Sequence, residues 1–210
     1  MQLRVIPGHL LSLGLSVAFL AGVPLAELLG QSKPWGLSAE AGLTHFWGGS
    51  EAVAPNDTPG LKPYRPISIG IRLDSGLKRY RFGLGIQYAS VALGQDGPDL
   101  AILLKGAMTW VQATPEIAYQ LATINANSEL RAFAGPVIDL WLPDGDDSRV
   151  RAGGRIGLEL LVPFGAGLAG LLRAHGGVSG SLFKDTEVPS EFRSKSMPNV
   201  GLALGLRLGL

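Results

Sequence analysis

The chain of 210 residues contains no cysteine, and charged residues make up only 17% of it. Without cysteine there can be no disulfide framework, no thiolate metal site and no cysteine nucleophile. A soluble domain normally carries about 25% charged residues, so this low fraction is unusual for a water-soluble protein. The net charge of +1 gives no overall field that would attract nucleic acid. Nucleic acid is therefore not expected as a partner.

Long apolar runs are confined to the N-terminus, where Arg4 precedes an uncharged apolar stretch at residues 10–26. Small residues lie near the end of this stretch, and Glu27 is the first acidic residue. This layout is typical of a secretory signal peptide, and the stretch is short for a spanning helix of roughly 20 residues. We therefore predict a signal-peptide helix over residues 1–32, cleaved between residues 26 and 32, with an uncleaved signal anchor as the alternative. Residues 33–210 are then a single exported domain.

Alternation with a period of two residues runs through this exported domain. In residues 199–210 every even position is branched and apolar, and every odd position is small or polar. Side chains of a strand point alternately to its two faces, so this stretch predicts a strand with one apolar and one polar face. The same alternation begins again near residues 37, 66, 80, 101, 129, 149 and 168. The sequence therefore predicts eight amphipathic strands.

The connections between these strands differ in length. Short turns are predicted at residues 75–77, 123–128 and 163–167, and longer stretches at residues 48–65, 94–99, 143–148 and 184–198. In an up-and-down meander the long loops then lie at one end and the short turns at the other. Within the fourth strand the alternation changes phase, which predicts a β-bulge between Trp110 and Pro115. We expect the last strand to pair with the first and close the sheet.

The polar faces of the strands decide in which environment the sheet closes. An eight-stranded barrel is either water-soluble with an apolar interior, or embedded in an outer membrane with a polar interior. Arginines and carboxylates interleaved with glycine suit a packed, ion-paired interior. We therefore predict an all-β, eight-stranded antiparallel up-and-down transmembrane β-barrel. The residues expected to line its lumen, with a structural role, are Glu40, Arg72, Arg81, Gln87, Glu116, Gln120, Arg131, Asp139, Arg155, Glu159, Arg173, His175 and Arg207.

Aromatic residues lie near the ends of the predicted strands. Membrane barrels carry girdles of aromatic side chains where the bilayer meets water. We expect the following residues to form such girdles: Phe46, Trp47, Tyr64, Tyr80, Tyr119, Trp141, Phe164 and Phe183.

No sequence motif indicates catalysis or ligand binding. The histidines are not spaced with other ligands as a metal site requires. A lipid-modifying enzyme would need His45 close to a serine and a carboxylate, such as Ser50 with Glu51 or Asp57, and nothing in their spacing singles these residues out. We expect no catalytic residue, no metal and no cofactor.

The order of these features resembles the small outer-membrane β-barrel proteins of the OmpA-like and PorT-like group. The resemblance rests on a hairpin at residues 66–91, on residues 114–119 and 131–136, on a hairpin at residues 153–181 and on the terminal alternating strand. It implies export to the outer membrane of a Gram-negative-type bacterium, insertion by the barrel-assembly machinery and contact with outer-membrane lipids. Members of the group usually end in an aromatic residue, whereas this chain ends in Leu210.

These patterns favour a structural or interaction role rather than an enzymatic one. External partners would then contact the loops at residues 48–65 and 184–198. Three alternatives stay open: a narrow passive pore, a lipid-modifying outer-membrane enzyme and a soluble, lipocalin-like binder.

Overall fold

The structure is a computed structural model and describes residues 35–52, 62–77, 79–96, 101–124, 128–145, 147–165, 167–183 and 192–210. The predicted signal peptide falls on residues 1–32 and so lies outside the described residues. In the part of the chain that is described, no helix is long and apolar enough to cross a membrane.

The described residues form eleven β-strands, three of them no longer than four residues. In chain order they are Trp35–Phe46 (β1), Gly49–Ala52 (β2), Lys62–Tyr64 (β3), Ile67–Leu77 (β4), Tyr80–Asp96 (β5), Ala101–Ile124 (β6), Ser128–Pro143 (β7), Arg149–Gly165 (β8), Leu168–Ser179 (β9), Phe192–Lys195 (β10) and Met197–Gly209 (β11). The eight long strands coincide with the eight segments of alternating sequence. Branched and aromatic residues on one face of each favour the extended conformation.

The eight long strands close into an antiparallel barrel. Each long strand pairs with the next long strand along the chain, and β11 pairs with β1. Leu208 lies opposite Leu37 and Leu202 opposite Leu43 along this closing seam. The predicted closed, up-and-down, eight-stranded barrel is confirmed. A closed barrel leaves no long unpaired edge, which explains how a strand as apolar as β11 avoids edge-to-edge association.

Up-and-down topology gives the barrel two different ends. The connections β4–β5, β6–β7 and β8–β9 are short and define what we name the turn end. The connections β1–β4, β5–β6, β7–β8 and β9–β11 are longer and define the loop end. Two predicted boundaries were placed too early, because β4 continues through Leu77 and β5 continues through Asp96.

Parts of the predicted loops form short strands at the loop end. β3 adds to the edge of β5, with Pro63 opposite Leu93. β2 pairs with β10 in a separate two-stranded ribbon, with Ser50 opposite Ser194. These segments have no clear alternation, so their strand conformation depends on partners that are distant in sequence, which a local pattern does not reveal.

The β-bulge predicted at residues 110–115 is wrong. β6 keeps one register with β5 from Met108 to Tyr119. Its register shifts lie outside residues 110–115, between Leu104 and Met108 against β5 and between Gln120 and Ala122 against β7. Met108 and Trp110 are apolar, yet they are buried inside the barrel. The change of phase in the sequence therefore marks a change in what fills the interior, from polar to apolar side chains. Within residues 110–115 it does not mark a slip of the strand.

The outside of the barrel is apolar. Leu202 and Leu204 of β11 are 62% and 67% exposed, whereas the intervening Ala203 is buried. Ile67 and Ile69 of β4 and Ile156 of β8 are similarly exposed. The strand alternation thus turns the apolar face outward along the barrel wall.

Candidate functional site

The middle of the barrel is filled by arginine and glutamate side chains from six of the long strands. The interior of an eight-stranded barrel is just wide enough to be filled by side chains. Each of the following is at most 7% exposed: Arg72, Arg131, Arg155, Arg173, Glu40, Glu116 and Glu159. We name this set the central network.

Arg173 of β9 contacts all three glutamates of the central network. Its Nη2 donates hydrogen bonds to the two carboxylate oxygens of Glu116, at 2.8 and 2.9 Å. Its Nε lies 3.1 Å from Glu159 Oε2, and its Nη1 lies 3.7 Å from Glu40 Oε2. The guanidinium carbon is 3.8 Å from the ring centroid of Phe133, close enough for a cation–π interaction. Arg173 is therefore the hub of the network.

Arg72 and Arg131 also form ion pairs with the glutamates of the central network. Arg72 pairs with Glu40, and its guanidinium also lies 3.1 Å from Glu116 and 3.2 Å from Glu159. Arg131 Nη1 donates to Glu159 Oε1 at 3.3 Å. Each glutamate thus has at least two arginine partners. Arginine suits this role because its planar fork of donors can serve several acceptors at once.

The side of the network toward the loop end continues into a chain of polar contacts. Arg155 donates to Glu116 at 3.0 Å and to the side-chain oxygen of Gln112 at 3.2 Å. Gln112 Nε2 donates to Asp139 at 2.9 Å, and the indole of Trp110 donates to the same carboxylate oxygen at 2.8 Å. Asp139 is thereby held mainly by neutral donors and is 1% exposed.

A second ion-paired group lies toward the turn end. Asp74 accepts two hydrogen bonds from Arg207, at 2.8 and 2.9 Å, and one from Arg81 at 2.6 Å. Glu129, also toward the turn end, pairs with Arg131 of the central network. Neither Asp74 nor Glu129 was among the predicted lumen residues. The signal for Asp74 was present, because it is two residues after Arg72 and therefore on the same face of β4.

Charge is balanced over these contacts. An unpaired buried charge costs several kcal/mol, so a closed polar interior must carry both signs. Six arginines face six carboxylates: Arg72, Arg81, Arg131, Arg155, Arg173 and Arg207 with Glu40, Asp74, Glu116, Glu129, Asp139 and Glu159.

Three of the predicted lumen residues lie outside these ion pairs. Gln87 is buried on the inward face of β5. The imidazole of His175 lies against Gly201, where an added Cβ would meet the ring. Gln120 donates to the hydroxyl of Thr123 at 2.9 Å in an exposed position at the turn end.

The interior next to the loop end is apolar, which the sequence interpretation missed. The cluster consists of Phe46, Ala89, Val91, Met108, Trp110, Trp141, Leu182 and Met197. The rings of Trp110 and Trp141 stack with centroids 5.6 Å apart, and Phe46 meets both edge-on. We name this cluster the apolar plug.

The plug corrects the predicted aromatic girdle. Phe46 and Trp141 are 1% and 0% exposed, so they cannot contact lipid or interfacial water. Phe183 packs against the plug as well. Residues near a strand end can point into the barrel as easily as out of it, and composition alone does not separate the two. Four of the predicted girdle residues are exposed: Trp47, Tyr64, Tyr80 and Phe164.

Little space is left between the charged side chains. Among the described residues, the cavity between Arg72, Arg81 and Glu116 has a volume of about 10 Å³. A single water needs about that much space. A wider vestibule of about 260 Å³ opens at the turn end, beside Arg131 and Arg207.

The catalytic alternative gains no support at its named residues. His45 packs edge-on against Trp47, with ring centroids 4.6 Å apart, and Ser50 is buried. The side chain of Glu51, and Asp57 as a whole, lie outside what the structure describes. Within the described residues no group of three or more histidine, aspartate or glutamate side chains is arranged to hold a metal ion.

Comparison with known proteins yields matches among solved structures alone. No protein-family model matches the chain, and no curated protein matches it significantly. Neisserial surface protein A (NspA) aligns with 84% of this chain and 97% of its own, at 10% identity and a TM-score of 0.51. A major outer membrane protein from Thermus thermophilus aligns over 84% and 99%, at 13% identity and a TM-score of 0.48. The N-terminal β-barrel domain of Pseudomonas aeruginosa OprF aligns over 85% and 100%, at 11% identity and a TM-score of 0.46.

The similarity to NspA shows the fold alone, since the identity is only 10%. The other two structures, with TM-scores below 0.5, add no argument. The chain therefore has the fold of the small eight-stranded outer-membrane β-barrels. The comparisons assign no activity to it.

Proposed function

We propose that the protein is an outer-membrane β-barrel with a structural or interaction role. The observation that carries this proposal is the inversion of polarity between wall and interior. Leucine and isoleucine side chains of the wall are 44–72% exposed at Ile67, Ile69, Ile71, Leu73, Leu202, Leu204, Leu206 and Leu208, while the central network is buried. Water-soluble monomers rarely expose a contiguous apolar patch of more than about 600 Å². A bilayer solvates such a surface, and a closed barrel satisfies its backbone groups internally.

The proposal extends to location and family. A signal peptide over residues 1–32 would export the chain, and the barrel-assembly machinery would insert residues 33–210 into the outer membrane of a Gram-negative-type bacterium. We propose membership of the OmpA-like and PorT-like group because of the order of the strands and the alternation that runs through them. Outer-membrane lipids would contact the apolar wall.

In this proposal the lumen residues have a structural role. Their charged side chains form ion pairs and fill the interior, so they hold the wall strands together from within. This filled interior favours a role in which the barrel is a rigid scaffold for its loop end. The β2–β10 ribbon and the addition of β3 to β5 give that end paired backbone structure, on which external partners of the loops at residues 48–65 and 184–198 would bind.

Fractionation and gel migration test the membrane assignment. The full chain, produced in a Gram-negative host, should stay in the membrane pellet after an alkaline carbonate wash. It should migrate faster on a gel without boiling than after boiling, because a folded barrel resists the detergent. The proposal would be refuted if the protein were recovered in the soluble fraction without detergent and migrated identically with and without boiling.

The pore alternative meets two obstacles inside the described barrel. One cavity, lined by Arg72, Glu116 and Glu159 of the central network, has a volume of about 10 Å³, and the apolar plug lies between this network and the loop end. We expect no stepwise conductance in planar bilayers once insertion is verified. Reproducible conductance steps would support the pore alternative.

The lipocalin-like alternative requires an apolar interior that receives a ligand. Among the described residues, the cluster of buried apolar side chains lies at the loop end, and it is filled by the stacked rings of Trp110 and Trp141. The wall of a lipocalin must also be polar, whereas this wall is apolar.

A further inference from the structure

The vestibule at the turn end has basic side chains in one sector and apolar side chains in another. Its volume is about 260 Å³. Arg81 of β5, Arg131 of β7 and Arg207 of β11 form the basic sector. Leu161 of β8 and Ala169 of β9 lie on the two strands that separate β7 from β11. Positive charge and an apolar surface are therefore present together in one small space.

Positive charge is in excess around this vestibule. Arg81 and Arg207 share a single carboxylate, that of Asp74, which accepts one hydrogen bond at 2.6 Å and two at 2.8 and 2.9 Å. Arg131 pairs with Glu129, and its other carboxylate partner belongs to the central network, where two further arginines share it. Among the described residues at this end of the barrel, three arginines thus face two carboxylates.

The two guanidiniums that share Asp74 are accessible from the vestibule. The side chain of Arg81 is 22% exposed and that of Arg207 is 11% exposed. Their bonds to Asp74 use Nη1 of Arg81 and Nε and Nη2 of Arg207. The other N–H groups of these two side chains have no acceptor in the part of the chain that the structure describes. A planar guanidinium with unused donors binds an oxyanion through charge-assisted hydrogen bonds.

Glycines make room for these two guanidiniums beside the strands. Gly36 of β1 lies against the guanidinium of Arg207, with which an added Cβ would collide. Gly76 of β4 lies opposite Arg81, and a Cβ there would be 3.3 Å from the guanidinium carbon. The arginines can therefore lie along the wall, and the vestibule stays open.

We propose that the vestibule binds a small organic carboxylate with an apolar body. Its carboxylate accepts hydrogen bonds from Arg81 and Arg207 and neutralises the excess positive charge. Its apolar body packs against Leu161, Pro163 and Ala169, which line the vestibule. Pockets for drug-sized ligands have volumes of about 300–1,000 Å³, so the ligand of this smaller space is below that size. The excess positive charge disfavours a cation in the same place.

This binding site goes beyond the proposed function, because it requires only the folded barrel. Short turns of outer-membrane barrels face the periplasm, so in the proposed location the vestibule opens to that compartment. The ligand reaches the site from this end and not through the lumen, which the central network and the apolar plug fill.

Two pairs of variants separate the charge of the site from its space. Arg81→Gln removes one cation. Arg79→Gln is its matched control, because Arg79 is an exposed arginine at the same turn and does not line the vestibule. Ala169→Leu fills the vestibule and leaves every charge in place. Ala122→Leu is its control, because Ala122 is exposed at the turn end and does not line the vestibule.

Fluorine NMR of the full protein in zwitterionic detergent micelles can measure weak binding of small ligands. The main probe is para-fluorobenzoate. The neutral para-fluorobenzyl alcohol has the same ring without the charge, and fluoroacetate has the charge with little apolar body. Micelles without protein give the background. We expect the unaltered protein to bind para-fluorobenzoate about tenfold more tightly than either of the other probes, because each of those lacks one of the two contacts.

The variants should divide by their place in the vestibule. Arg81→Gln and Ala169→Leu should each weaken binding of para-fluorobenzoate about tenfold, since one loses a charge-assisted hydrogen bond and the other loses the space for the ring. Arg79→Gln and Ala122→Leu should leave binding unchanged.

Equal affinity of the Ala169→Leu and Ala122→Leu variants, or of the two arginine variants, would overturn the site. Binding of fluoroacetate as tight as that of para-fluorobenzoate would overturn the organic ligand in favour of a general oxyanion. Each variant is first tested for migration with and without boiling, and the alanine pair decides if Arg81→Gln does not fold. A soluble protein in the fractionation test would contradict the membrane location alone, which keeps that failure distinct from a failure of this site.

Discussion

Arg173 is a fully buried cation whose carboxylate partners come from three different strands. Glu40, Glu116 and Glu159 reach it from β1, β6 and β8, and the ring of Phe133 covers it from β7. Such a group is stable only while all its partners are present, because desolvation of a lone charge costs more than any single contact returns. The network therefore makes correct closure of the barrel and satisfaction of its charges interdependent.

Removal of this cation should destabilise the barrel strongly. Arg173→Met leaves three buried carboxylates short of one partner, and we expect a loss of about 3–5 kcal/mol in the free energy of unfolding. Urea unfolding in lipid vesicles measures it. Arg79→Met is the control, because Arg79 is exposed in a turn and should change the free energy by no more than about 0.5 kcal/mol.

The pairing can be isolated with a double substitution. The double variant Glu116→Gln with Arg173→Met should lose less free energy of unfolding than the two single variants lose in sum. Each substitution removes a charge that the other leaves unpaired. Equal stability of the Arg173→Met and Arg79→Met variants would show that the network does not support the barrel.

Gly135 occupies a close approach between β6 and β7. A Cβ at this position would collide with the carbonyl oxygen of Pro115 and with the backbone of Glu116, neither of which can rotate away. We expect Gly135→Ala to cost about 1–3 kcal/mol in urea unfolding. Gly154→Ala, with open space around it, should be neutral or slightly stabilising. A harmless Gly135→Ala would mean that the two strands are farther apart than described.

Residue positions were predictable where one face of a strand had a uniform chemistry. Glu116 and Arg173 could be placed inside because their strands alternate cleanly around them. Phe46, Met108, Trp110 and Trp141 could not, because the interior changes from polar to apolar along the barrel axis. An inward apolar residue then follows the same period as an outward one, and nothing local in the sequence distinguishes them.

The seam between β1 and β11 is the element that turns a meander into a barrel. Its register runs without a shift from Gly36 opposite Gly209 to Phe46 opposite Asn199. A slip of one residue would place leucines of β11 in the charged interior and Arg207 in the wall. Burial of the charges and exposure of the leucines therefore fix the register together.

Cysteine cross-linking tests this register, and the chain offers a cysteine-free background. Ala41 lies opposite Leu204, and both point outward. We expect Ala41→Cys with Leu204→Cys to form an intramolecular disulfide on oxidation, seen as a shift in gel migration without a dimer. The control pair Ala41→Cys with Leu208→Cys is displaced by four residues, or about 13 Å, and should not cross-link. Cross-linking of the control in place of the test pair would show another register.

The eight wall strands were predictable because a single rule, alternation, decides which residues face lipid and which face the interior. The exact ends of these strands were less predictable, since β4 and β5 continue past the predicted ends. The strands β2, β3 and β10 depend on contacts between segments far apart in the chain, so Ser50 and Ser194 gave no sign in the sequence that they are opposite each other.

The molecule as a whole has an apolar wall, an ion-paired interior and a loop end with its own short strands. The proposed function requires that this wall be in contact with lipid. β11 is the best place to test this, because its outward residues Val200, Leu202, Leu204, Leu206 and Leu208 are 44–67% exposed.

A spin-label scan of these five positions, one single-cysteine variant at a time in lipid vesicles, is the most direct measurement. Oxygen concentrates in the bilayer, whereas a charged nickel complex stays in water. We expect labels at residues 202, 204 and 206 to collide with oxygen much more often than with nickel, with a smaller difference at residues 200 and 208. Frequent collision with nickel at residue 204 would contradict it, because the leucine face of the final strand would then face water.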